Sequence, residues 1–283
     1  MRLLRDLWRI CRSDKPAFTG GCVVLIYLVV AIIGPYTTSL PYQKNSNLAY
    51  LGPSLKYPLG TDFLGNSVLG EVILGTRPIM EVGLAAAVMV VFAGVLAGLV
   101  AGYLGGGVDQ VVMRITVVFL TIPGLPLVIV IASIVRTTSP LALAGILSIT
   151  GWAGLARAVR SQALSLRTSD FIDAARVQGL PLRNIVGRQL LPNIGPYVAI
   201  HFLLAVTDAI YAGVGLFLLG VAPLSGTNWG IMINLAIGQG ALYTSQSALY
   251  LFSPMLAIVF LQVALVYFSR AMDRLFNPRL RVQ

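Results

Sequence analysis

The chain has 283 residues, of which 57% are hydrophobic and 11% charged, with a mean hydropathy of +0.85 and a net charge of +10. A soluble domain needs far more polar surface than this, so lipid must cover much of the chain. The positive balance does not indicate nucleic acid, because Lys and Arg occur in small groups separated by long uncharged runs instead of on one exposed face.

A membrane-crossing helix takes about 20 mostly apolar residues, since each residue rises 1.5 Å and the hydrocarbon layer is about 30 Å thick. Six stretches qualify: 17–39, 79–103, 111–135, 140–156, 197–221 and 249–269. The predicted fold is an all-α integral membrane protein with six transmembrane helices. Its first element is a basic N-terminal segment, 1–16, which contains Cys11. The first span, 17–39, contains Cys22; it is too long for a signal-peptide core and lacks a small-residue cleavage site. Two thiols in these settings read as unreactive, not as a disulfide.

Residues 40–78 carry turn-forming groups, Leu51-Gly52-Pro53-Ser54 and Pro58-Leu59-Gly60-Thr61-Asp62, and predict a small external cap. The core of the chain is taken as 79–270. In the second span, Gly94, Gly98 and Gly102 recur every fourth residue and form a stripe for close helix packing, inside the bundle or against a second subunit; Gly83 lies earlier in the same span. Glu81 stands near the outer start of that span. Pro123 and Pro126 predict a bend in the third span, either a hinge or a static kink. The fourth span is the shortest and is interrupted by Gly151 and Gly154.

Residues 157–196 form a hydrophilic loop holding six basic residues. Thr168-Ser169-Asp170 offers N-cap oxygens, Asp170 and Asp173 put negative charge in a first turn, and Phe171, Ala174, Ala175 and Val177 are the apolar positions of a short helix ended by Gly179 and Pro181. A second short helix, 182–191, is expected to stop at Pro192-Asn193. Such a knob serves as a docking surface, its small Ala174 and Ala175 permitting close approach of a partner, or is a solvated loop that enforces topology.

The fifth span holds His201, the only histidine, and Asp208. A lone His reads as a packing or interhelical hydrogen-bonding residue. An acid at membrane depth is costly, about 2.5 to 3.5 kcal/mol on insertion scales, so Asp208 is read as facing the bundle, either lining a pathway or pairing with a partner subunit. The run 231–242 is broken by Gly238, Gln239 and Gly240 and reads as a short surface or re-entrant helix. The tail, 271–283, closes the chain.

Cations fix the orientation, because cytoplasmic loops accumulate Lys and Arg. With six spans and the N-terminus inside, only Lys44, Lys56, Arg77 and Arg136 fall outside; the other sixteen of the 20 basic residues fall inside. Both termini are therefore expected in the cytoplasm. None of the three lysines follows a glycine, so the chain has no phosphate-binding P-loop, and it has neither a Gly-x-Ser-x-Gly elbow nor a zinc ligand set. A transport role is expected, not an enzymatic one.

Asp173-Ala174-Ala175-Arg176-Val177-Gln178-Gly179, followed by Leu190-Leu191-Pro192-Asn193, resembles the coupling-loop signature of type I ABC importer permeases. Pro58 to Gly65, Ala101 to Gly106 with Asp109, Gly151-Trp152, Trp229-Gly230 and Asn277-Pro278-Arg279-Leu280-Arg281 resemble the dipeptide/oligopeptide/nickel subfamily in its C-type subunit. The resemblance runs from about Lys56 to Arg281. Departures are Asp173 for the usual Glu, Gln189 where His is common and Tyr211 where Glu is frequent, with Asp208 three residues earlier on nearly the same face.

The resemblance implies a prokaryotic plasma-membrane subunit, forming half of a pathway with a second homologous permease. It implies two cytoplasmic ATPase subunits that bind ATP and Mg, no cofactor on this chain, and an external substrate-binding protein that delivers cargo. Asp173, Ala174, Ala175, Arg176, Gly179, Leu180 and Pro181 would form the ATPase-coupling loop, with Gly179 allowing a bend that a side chain would obstruct. Asp208 and Tyr211 are the pathway or interhelical candidates. A peptide is the first choice of cargo, with oligosaccharide or nickel as alternatives. An ion-gradient-driven transporter, with Asp208 as its coupling site, and a membrane-embedded enzyme are the competing classes.

Overall fold

In lipid an apolar run must satisfy its backbone hydrogen bonds internally, which leaves the helix as the local solution for each of these stretches. The computed structural model describes residues 15–40, 46–223, 226–241 and 247–276. The helices are α1 (Lys15–Thr37), α2 (Val68–Leu104), α3 (Gly106–Thr121), α4 (Gly124–Val135), α5 (Pro140–Arg167), α6 (Asp170–Val177), α7 (Leu182–Leu218), α8 (Trp229–Gly238) and α9 (Ala248–Phe276). Five of them are long and apolar enough to cross a membrane, and α3 and α4, bent by 83°, make a sixth if the pair crosses as one. Cys11, Lys44, the N-terminal arginines and the 277–281 motif lie outside the described residues.

Several boundaries move, each for a physical reason. α2 begins at Val68 instead of 79, because Ser67 caps it by accepting from the Gly70 N–H at 3.3 Å; the segment between α1 and α2 is shorter accordingly, and Pro78 sits within the helix. α5 does not stop at 156 but continues to Arg167 through Gly151 and Gly154. Proline does bend the third span. Ile122 is extended and Pro123 precedes the first turn of α4, so the chain turns where the pyrrolidine ring disfavours helix before it.

Pro192-Asn193 does not end a helix. Residues Ile185–Leu190 form a π-turn in which the Leu191 N–H donates to the Val186 carbonyl, and this wider turn passes directly into the remainder of α7. The widened turn makes room for a ring that would crowd the preceding turn of an α-helix.

The glycine stripe resolves to packing within the bundle. α2 lies along α5 in the most extensive helix pairing of the fold. A Cβ on Gly98 would sit 2.6 Å from the Ala156 carbonyl oxygen, and one on Gly102 2.6 Å from the Ala163 Cβ. The missing side chains are what let the two backbones meet.

α8 is not at the surface. Trp229, Ile231, Met232 and Ile233 are buried, the Trp229 Nε1 donates to the Val72 carbonyl at 2.9 Å, and Tyr27 of α1 meets its ring edge-on at 5.9 Å. In the segment before α2, Asp62 accepts from the Leu64 and Asn66 N–H groups at 2.8 and 2.7 Å, and Phe63 packs on Tyr250 of α9.

Candidate functional site

The loop knob is built on α6. Ser169 is its N-cap, but the hydroxyl turns back to donate to the Leu166 carbonyl, while the Ser169 carbonyl accepts from the N–H groups of Ile172 and Asp173. Asp173 pairs with Arg176 at 2.8 Å, and the Arg176 guanidinium lies 5.5 Å from the ring centre of Tyr103 at the end of α2. A cation over an aromatic face is attracted by the ring quadrupole, so Arg176 joins the knob to the long helix.

The end of α6 is a Schellman motif. The Gly179 N–H donates to the Arg176 carbonyl and the Leu180 N–H to the Ala175 carbonyl, at 2.9 and 3.2 Å. Gly179 has φ +69, yet a Cβ there would meet nothing within 4 Å. Its role differs from the expected one: there is room for a side chain, and glycine is needed for the left-handed backbone.

The two alanines of the signature separate. Ile172 and Ala175 are buried with Leu99, Leu155, Val159 and Leu190, so α6 is plugged into the core of the bundle. Ala175 is thereby excluded from a partner-facing surface, contrary to the expectation that both alanines ease a partner's approach. Ala174, Asp173, Arg176 and Pro181 are exposed and Leu180 is half-buried. Phe171 and Val177, apolar and 38% and 89% exposed, complete the outward face. They were legible as helix positions, and their spacing from Ala174 by three residues each was the signal that assigns them to the outer surface.

Behind the knob, Asp109 of α3 and Arg160 of α5 form a two-pronged ion pair through Nε and Nη2. This pair fastens α3 to α5, the helix that runs from the knob to the cavity.

That cavity, about 400 Å³, is walled by α2, α4, α5 and α7. On α7 its lining recurs as His201, Ala205, Asp208, Ala209 and Ala212, one face of the helix at helical spacing. Small side chains open it: the alanines on α7 and Gly151 and Gly154 on α5 all line it, and a Cβ on Gly154 would meet nothing within 4 Å. Asp208 is exposed into this space. Tyr211, the other pathway candidate, is 56% exposed but does not line the cavity. His201 packs on Tyr197 with ring centres 4.3 Å apart and also lines the cavity, a position its solitary occurrence in the sequence does not announce.

Residues 94–282, which contain the knob and nearly all of the cavity walls, match the family described as binding-protein-dependent transport system inner membrane component. The chain belongs to that family. Residues 2–53 match the N-terminal transmembrane domain of oligopeptide transport permease C, so the likeness extends upstream of Lys56 through the first span. The permease is 33% identical to the dipeptide transport system permease protein DppC of Bacillus subtilis, over 81% of this chain and 72% of the relative. It is 29% identical to the oligopeptide transport system permease protein OppC of the same organism, over 83% and 77%, and 29% identical to the glutathione transport system permease protein GsiD of Pectobacterium atrosepticum, over 82% and 78%. The permease is thus a multi-pass membrane transport subunit of the ABC class, as its family and helices require.

Proposed function

We propose that this permease is one half of the transmembrane pathway of an ATP-driven peptide importer. A second homologous permease supplies the other half, two cytoplasmic ATPase subunits hold ATP and Mg and seat on the knobs, and an external substrate-binding protein delivers the cargo. Both termini lie in the cytoplasm of a prokaryotic cell, on the side that the excess of Lys and Arg marks.

The observation that carries this reading is the two-faced construction of α6. Its outer face presents Phe171, Ala174 and Val177, while its inner face, Ile172 and Ala175, is fixed among residues of α2, α5 and α7. A force applied to such a helix moves the cavity walls with it, since packed interiors transmit displacement instead of absorbing it. The related permeases named for dipeptides, oligopeptides and glutathione support a peptide as cargo.

The test is co-purification followed by reconstitution. The permease is expected to purify with an ATPase and a second permease, and vesicles holding the complex and its binding protein are expected to take up a dipeptide only with ATP. Uptake by this chain without ATP, driven by an ion gradient, would overturn the reading.

A further inference from the structure

Asp208 stands seventeen residues into the stretch that begins at Leu191 and ten before the end of α7 at Leu218, about 15 Å of helix from that end and so near the middle of a hydrocarbon layer about 30 Å thick. It is the one carboxylate among the described residues that line the cavity, and no Lys or Arg lines that cavity with it. The three ion pairs among the described residues use other acids, Glu81, Asp109 and Asp173. On its own helix its neighbours in the lining are Leu204, Ala205, Ala209 and Ala212, none of which can pair with the carboxylate.

An acid held at this depth beside a space open to cargo is retained where something cationic visits it. On this geometry, and resting on the peptide-import reading above, we propose that Asp208 is the subsite that receives the α-ammonium of a peptide as it crosses the membrane. The charge complementarity is one-sided: the described lining offers an anion and a histidine, but no fixed cation to hold the opposite end. His201, braced by Tyr197, lies seven residues toward the start of α7 on the same wall, about 10.5 Å along the axis. An extended chain spans about 3.3 to 3.6 Å per residue, so a peptide of roughly three residues laid along α7 with its ammonium at Asp208 brings its far end to the imidazole. The subsite therefore reads the charged amine, and the mostly apolar remainder, in which alanine and glycine alternate with valine and leucine, tolerates varied side chains.

The experiment uses the complete transporter in proteoliposomes, with D208N and D208E permeases, and compares ATP-dependent uptake of Ala-Ala and of N-acetyl-Ala-Ala, each presented on the binding protein at saturation. A hydrogen bond to a charged group carries enough energy for about a tenfold effect. D208N is expected to lower uptake of Ala-Ala by about tenfold, D208E to stay within about threefold of the native chain, and the acetylated peptide to be handled equally by native and D208N transporters. Native-level uptake of Ala-Ala by D208N would overturn the proposal, as would an equal loss for both peptides. Failure of D208N to assemble where D208E assembles would also overturn it, by assigning the carboxylate to a cation of the sister subunit. Absence of ATP-dependent Ala-Ala uptake in the native transporter would instead overturn the import reading itself.

Discussion

Gly179 and Asp109 show how two residues of different motifs act through different physics. At Gly179 the constraint is backbone conformation alone, since φ is +69 and the surrounding space is open. An L-residue with a β-branched side chain is strained there by about 1 to 2 kcal/mol, whereas Asn visits the left-handed region readily. Gly179→Val is therefore expected to loosen the turn after α6 and lower uptake per ATP hydrolysed, and Gly179→Asn to retain most of it. Parallel ATPase and uptake assays in vesicles check this, and equal coupling in both variants would contradict the backbone argument. At Asp109 the constraint is charge: its carboxylate takes both prongs of Arg160, with the two side chains 16% and 31% exposed. Removing one partner leaves the other poorly solvated, so Asp109→Ala is expected to destabilise the end of the bundle that carries the knob by about 2 kcal/mol. The double reversal Asp109→Arg with Arg160→Asp should recover part of that loss in thermal unfolding.

Helix pairs set the next level of discrimination, because glycines of similar sequence context have opposite tolerances. On α2, Gly98 lies against the backbone of α5, and a methyl group there forces the helices apart; overpacking of this kind costs about 1 to 3 kcal/mol. On α5, Gly154 faces open space, and replacing it with Ala relieves the helix of a flexible residue at a gain of up to about 1 kcal/mol. Gly98→Ala is expected to lower the melting temperature of the detergent-solubilised chain, and Gly154→Ala to leave it unchanged or raise it. Equal shifts would refute the assignment of the stripe to the α2–α5 seam. The same seam explains why the fourth apolar stretch, broken in appearance by two glycines, is one continuous helix: its hydrogen bonds are intact and its partner helix supplies the packing.

Across the whole molecule, the knob and the cavity are joined through α5. Arg160 and the buried Val159 and Ala163 lie near its knob end, and Thr150, Gly151 and Gly154 line the cavity farther along. Filling the cavity and spoiling the knob are thus expected to fail differently. Gly154→Phe places a large ring in a space of about 400 Å³ and is expected to reduce uptake by about tenfold or more, with the ATPase subunits still bound. Val177→Asp puts a charge on the outer face of α6 and is expected to weaken co-purification of the ATPase by about tenfold while the isolated permease keeps its fold, since Val177 is 89% exposed. Reversed outcomes, with Gly154→Phe losing the ATPase and Val177→Asp keeping it, would exchange the roles assigned to the two sites.

Membrane insertion, the count of apolar stretches, the bend at Pro123, the helix of the knob and its end at Gly179 were all legible in the sequence, because each follows from local composition, hydrogen bonding or allowed backbone angles within a few residues. The family resemblance in the loop that carries α6 was legible for the same reason, being carried by contiguous residues. What only the tertiary structure decided was which side of each helix meets what. It separated Ala174 from Ala175, drew Asp208 and His201 into one cavity while leaving Tyr211 outside it, and buried Glu71, which lies in the first turn of a helix the sequence placed later. It also carried α7 through Pro192, where local rules predict a stop. A helix face is chosen by contacts between residues far apart in the chain, and in a chain apolar on nearly every side the periodicity that would reveal that face is too weak to read.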